Sequence, residues 1–212
     1  MADIFKEVEE DLRREGLEKM WRRYAPYVIA VAVAVVLATA GVTGWRNYTT
    51  SRQEARAREY SAALELIAQS NTDGATKALE ALSGSDGYAT LAQFQEAGLK
   101  VKAGDIAGAT AAYQKISNDP AVDRPFRELA VILRALLLAD TAEPAELTAQ
   151  LAPLTEGDNP WRFSALEITG LVAQRSGDNA RAEEIFSKLA DDPAAPQGLR
   201  ARAAELLAAL KG

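Results

Sequence analysis

The chain has 212 residues, 48% hydrophobic and 25% charged, which excludes a disordered tail or a collagen-like polymer. Its net charge is −6 with no run of five or six like charges, so it offers no clustered basic face for nucleic acid. The absence of Cys and His removes thiol nucleophiles, imidazole bases and the usual zinc or haem ligand sets, and no cofactor is expected.

Residues 1–23 hold six Lys/Arg against seven Asp/Glu and read as a charged cytoplasmic tail, helical over 3–22. Ile4, Phe5, Val8 and Leu12 share one face. Glu9–Arg13, Glu10–Arg14, Glu15–Lys19 and Glu18–Arg22 are i,i+4 pairs in the favourable order, each adding about 0.2–0.5 kcal/mol. Gly16 weakens the middle. The tail reads as a solvated helix that resists translocation, with a docking handle as the alternative.

Residues 24–45 carry no charge. A helix of that length, at ~1.5 Å per residue, is roughly 33 Å long and matches the ~30 Å hydrocarbon core of a bilayer. Its apolar residues occupy every face, which excludes a helix lying in the membrane surface. Trp21, Tyr24 and Tyr27 stand before it and Trp45 and Tyr48 after it, suited to the headgroup level. Ala38-Thr39-Ala40 before Gly41 fits the pattern of a cleavable leader. The long apolar run and the mixed-charge residues ahead of it instead favour a retained anchor. Arg13, Arg14, Lys19, Arg22 and Arg23 precede the span, against Arg46, Arg52, Arg56 and Arg58 beyond it. The Arg22-Arg23 doublet tips the balance toward a cytoplasmic N-terminus. Ala30, Ala34 and Ala38 share a helix face and are a candidate contact for a second membrane helix, or simply part of an Ala-rich span.

Residues 46–212 form the third segment, an expected all-α domain. Lys102-Ala103-Gly104-Asp105 through Asp119-Pro120 aligns without gaps to Arg175-Ser176-Gly177-Asp178 through Asp192-Pro193, at an offset of 73 residues. That offset is close to two units of ~34 residues, the helix–turn–helix period of tetratricopeptide repeats. Gly-Asp supplies the turn, Ala107/Ala180 and Ala109/Ala182 permit close packing, Tyr113/Phe186 wedges between helices, and Asp-Pro ends the unit. A first unit is expected over 54–82 with Thr72-Asp73-Gly74 as its turn. A degenerate one contains Phe126, Leu129, Ala130, Leu133 and Leu137, followed by a helix opened by Glu143-Pro144. Asp158-Asn159-Pro160 is expected to cap the next unit. Leu199, Ala203, Leu206, Leu207 and Leu210 mark a C-terminal capping helix. The expected architecture is thus one N-terminal transmembrane helix followed by a solenoid of about four helix pairs and a cap.

The whole pattern resembles the ancillary SecYEG translocon subunit family (YfgM-like), whose repeat domain is shared with a cell-division coordinator. The resemblance rests on the charged tail, the span ending in Gly44-Trp45-Arg46 and the degenerate repeats ending in Gly177-Asp178 and Ala182. Asp3-Ile4-Phe5-Lys6-Glu7-Val8 and Asp11-Leu12-Arg13-Arg14 look like alphaproteobacterial members. The resemblance implies a single-pass inner-membrane protein with its domain in the periplasm. It would sit at the SecYEG translocon beside a membrane-anchored periplasmic chaperone and assist exported protein segments. A cell-envelope or cell-division adaptor of the same architecture is the alternative.

Taking Ala97 and Gly170 as the small inter-helix positions, Leu91, Phe94 and Val101 are expected to line a concave groove from one pair. Glu167 and Gln174 would do so from another. Arg124, Arg127 and Arg134, opposite an apolar stripe, are expected to add a basic stretch suited to an extended peptide or an acidic loop. The alternative is that Leu91 and Phe94 belong to the core and the arginines to a solvated face. Glu183-Glu184 and Asp191-Asp192 point different ways on their helix. With no phosphate loop, metal spacing or nucleophile motif in the chain, no enzyme activity is expected.

Overall fold

The computed structural model describes the backbone of residues 2–82, 84 and 87–211, and their side chains from residue 20 onward except at 28 and 32. The described residues are helical throughout, without a strand, and fall into two compact units, residues 1–55 and 56–212. The ion pairs expected in the tail lie on side chains outside those described.

Helix α1 runs from Ala2 to Ala68 and contains Pro26. Proline removes one backbone donor, a loss that membrane helices tolerate better than isolated soluble ones. In the first unit the apolar side chains Ile29, Val31, Val33, Val35, Val36 and Leu37 are all exposed. This is the one helix among the described residues long and apolar enough to cross a membrane. Within it the Thr39 hydroxyl is satisfied, Oγ1 donating to the Val35 carbonyl at 2.8 Å. At its far end the rings of Trp45 and Tyr48 lie 6.4 Å apart, with the Arg52 guanidinium 4.9 Å from the Tyr48 centroid. An aromatic pair under a cation suits the interfacial layer.

The second unit stacks four helix pairs. Residues 56–68 of α1 pair with α2 (Thr72–Ala81), α3 (Gly87–Lys102) with α4 (Ile106–Asn118), α5 (Arg124–Leu138) with α6 (Pro144–Leu151), and α7 (Arg162–Arg175) with α8 (Asn179–Asp191). Helix α9 (Gln197–Lys211) closes the stack, burying Ala203 and packing Leu206, Leu207 and Leu210 on α8.

All four pairs share one register. The small residue that lets the helices approach is Ala63, Ala97, Ala135 and Gly170 in turn, at successive spacings of 34, 38 and 35 residues. Twelve residues later come Ala75, Ala109, Leu147 and Ala182. Sixteen later come Leu79, Tyr113, Leu151 and Phe186, and nineteen later Leu82, Ile116, Leu154 and Leu189. Every one of these residues is buried. The 73-residue offset legible in the sequence is the sum of the last two spacings.

Three of the four turns use the same device. Ser70, Gly104 and Gly177 adopt φ of 59°, 79° and 81°, the left-handed conformation that ends the first helix. The next residue caps the second helix: Asn71, Asp105 and Asp178 accept from the backbone N–H of Gly74, Gly108 and Arg181 at 3.0, 2.8 and 3.1 Å. The turn expected at Thr72-Asp73-Gly74 is therefore Ser70-Asn71, and Gly74 lies inside α2. In the third pair Glu143 makes no side-chain cap, Pro144 opens α6, and Arg175 donates to the Ala142 carbonyl to hold the turn. Asp158-Asn159-Pro160 does not cap α7 directly. Asn159 instead accepts from Trp161 N–H at 2.8 Å in the loop before it.

The core is four apolar clusters in sequence, each shared between a pair and the first helix of the next, or α9 at the end. Stability is thus passed between neighbours along the stack.

Candidate protein-binding surface

From α3 onward each first helix buries two sides, one against its own partner and one against the preceding pair, whereas residues 56–68 of α1 have no preceding pair. At 100° per residue two strips remain, one facing the neighbouring first helices and one opening between second helices. The register fixes the first strip at six and three residues before the small position and one and four after it.

In α1 this strip carries Tyr60, Leu64 and Ile67, with Leu64 37% exposed. In α3 it carries Leu91, Phe94, Gly98 and Val101, the three side chains all half-buried. In α5 it carries half-buried Leu129 together with Leu136, the latter 53% exposed, while Ile132 between them is buried in the core. In α7 it turns polar at Ser164, Glu167 and Gln174, leaving Leu171. Three consecutive helices therefore present apolar side chains along one edge of the stack.

Phe94 is the most constrained member. Its ring lies 6.0 Å from Tyr113 and 6.3 Å from Phe126, so it joins α3, α4 and α5 and packs on the core cluster. Its removal would disturb folding as well as any surface. Tyr60 is tied similarly, its ring 5.9 Å from Tyr88 and its hydroxyl accepting from Gln95 Nε2 at 3.2 Å. Glu167 is engaged by the cap: Arg202 Nε and Nη2 donate to its two oxygens at 2.7 and 3.0 Å. That pairing raises the Arg202 pKa.

Arg124, Arg127 and Arg134 are not on this edge. They occupy the other strip of α5, between α4 and α6. The apolar stripe expected opposite them is found: Ala130 is buried and Phe126, Leu133 and Leu137 pack on the same core cluster, while the contact with α6 is made by Ala135. Arg124 Nε bonds Glu128 Oε1 at 2.7 Å, which raises the Arg124 pKa. The other Glu128 oxygen accepts from Asn159 Nδ2 at 3.0 Å. Arg134 Nη1 donates to Gln150 Oε1 at 2.6 Å. Leu64, Leu129 and Leu136 join the candidate surface only in the structure, since the sequence places apolar residues on a helix face without saying which of them a neighbouring helix covers. Ala30, Ala34 and Ala38 are exposed on α1.

A family model described as a tetratricopeptide repeat-like domain matches residues 18–206. No curated protein and no solved structure matches the chain.

Proposed function

This chain belongs to the tetratricopeptide repeat-like domain family, and on that footing we propose that it is a membrane-tethered scaffold for protein–protein interaction. The observation that carries the reading is the apolar first-helix edge, with Leu64 and Leu136 exposed in a unit where Ile106, alone at the start of α4, is the other exposed large apolar side chain among the described residues. Exposed apolar side chains aligned across successive repeats suit an extended or helical partner segment.

We place the span at residues 24–45 and the interaction domain from 46 onward, with the N-terminus in the cytoplasm and the domain in the periplasm. The Arg22-Arg23 doublet and the resemblance to the ancillary SecYEG translocon subunit family support this orientation. The same resemblance supports a role at the translocon, beside a membrane-anchored chaperone, receiving exported segments. Tethering adds to the argument, because confinement raises local concentration and lets a modest surface suffice. We read the chain as non-catalytic.

Cross-linking in native membranes followed by mass identification tests the proposal. Enrichment of translocon subunits is the expected result. Enrichment of division or outer-membrane machinery instead would transfer the scaffold to that setting, and the absence of protein partners would sink it.

A further inference from the structure

The strip of α5 that opens between α4 and α6 has its own chemistry. Two adjoining depressions of about 260 and 250 Å³ share Ser117 and Val131 and so form one channel. Arg127 lines one and Arg134 the other. Both side chains are half-buried, and the Nε of each is enclosed without an acceptor.

Among the described residues Arg127 forms no ion pair. The partner of Arg134 is the neutral amide of Gln150, whose Nε2 is in turn held by Glu146 Oε1 at 3.0 Å. Arg124, by contrast, is matched by Glu128. Glu128 and Glu146 also line the channel, but Glu128 is bonded to Arg124 and Asn159 and Glu146 to Gln150, so neither is bonded to Arg127 or Arg134 and three guanidiniums outnumber two carboxylates there. A desolvated cation gains most from an incoming anion that it can meet with charge-assisted hydrogen bonds.

We propose that this channel, on the second-helix side of the middle pair, binds an acidic polypeptide segment, with Arg127 and Arg134 each receiving a carboxylate. The proposal deepens the scaffold reading and rests on it. The two arginines are seven residues apart on one helix, or about 10.5 Å. An extended chain advances about 3.3 Å per residue, so carboxylates roughly three residues apart match them. Gln114, Ser117 and Asn118 along the α4 wall offer hydrogen bonds to the backbone of such a segment. An apolar ligand would instead leave both guanidiniums desolvated and unpaired.

The test uses the full chain in detergent micelles with a fluorescein-labelled oligoglutamate peptide, read by anisotropy. Saturable binding that weakens with added salt is expected. Arg127→Gln/Arg134→Gln should weaken it by roughly tenfold or more, the loss of two charge-assisted contacts. Arg127→Lys/Arg134→Lys should recover part of that loss, and circular dichroism should show the fold retained. Leu136→Asp should leave oligoglutamate binding unchanged while removing native-membrane cross-links, so the two surfaces fail separately. No saturable binding, or equal binding by the glutamine variant, overturns the proposal. So does arginine-dependent binding to phosphatidylglycerol vesicles with none to oligoglutamate, which would assign the channel to a lipid headgroup.

Discussion

The Phe186 ring rests on the backbone of Gly170, so closely that a Cβ added at 170 would stand 2.5 Å from Phe186 Cε1 and 2.9 Å from Cζ. Phe186 is fully buried in the cluster joining α7, α8 and α9, which leaves the ring little room to yield. The equivalent contact in the second pair sets Ala97 beside Tyr113, so the fourth pair is the tighter one.

Gly170→Ala should therefore destabilise the domain despite replacing a mid-helix glycine. Overpacking costs about 1–3 kcal/mol, against a helix-propensity gain of about 1 kcal/mol. Chemical denaturation should show a lower midpoint. Adding Phe186→Leu to Gly170→Ala should recover part of the loss. A midpoint above that of the parent would contradict the contact.

The caps separate into used and unused. Asp105→Ala and Asp178→Ala each remove a bond to an otherwise orphaned N–H and should cost about 1 kcal/mol. Glu143 makes no such bond, so Glu143→Ala should shift the denaturation midpoint little. Equal losses at all three positions would show that charge at the helix start, rather than capping geometry, is responsible.

Glu96 supplies a pH dependence. Burial pushes its pKa above the ordinary value of 4.5, Glu80 adds to the rise, and Lys100 and Lys115 oppose it. The native state then holds this proton more tightly than the unfolded chain. The contribution to stability is accordingly best below the ordinary pKa and declines as pH climbs through it to the raised value. Glu96→Gln should be more stable than the parent at neutral pH and lose that advantage in acid. Thermal unfolding of both proteins across this range measures the difference, and an advantage that grows on acidification would refute the assignment.

The Glu167–Arg202 pair spans α7 and α9 with both carboxylate oxygens engaged. Arg202 is largely exposed, so Arg202→Ala should cost at most about 1 kcal/mol. Its effect should be local. Amide exchange should quicken in α9 and stay unchanged in α3 and α4, whereas uniform acceleration would mean that the pair supports the whole stack.

The span and the outer repeats were legible because their chemistry is local. Twenty-two uncharged residues dictate a helix long and apolar enough to cross a membrane, and Gly-Asp followed by Ala marks a turn and a close helix contact in the second and fourth pairs. The first turn was displaced because Ser70 takes the left-handed position that glycine holds elsewhere, at a cost of roughly 1–2 kcal/mol that its surroundings must offset. The helix contact of the middle pair was not legible for a different reason. Its turn reads Ala142-Glu143-Pro144, Leu147 replaces the small residue, and the 38-residue spacing breaks the period. Ala130 and Ala135 are both buried alanines of α5, and periodicity alone does not say which faces α6. Packing of Leu147 and Leu151 with Ala135 decides it, and with it which strip of α5 carries arginine and which carries leucine.

The proposed scaffold function requires the first-helix edge to receive protein partners. Photo-cross-linking in native membranes tests it most directly, with benzoylphenylalanine placed at Leu136 or Leu64 and, as a control, at exposed Ala111 on α4. Discrete protein adducts are expected from positions 136 and 64 and none from 111. Adducts absent from both leucine positions, or equally abundant from all three, would contradict it.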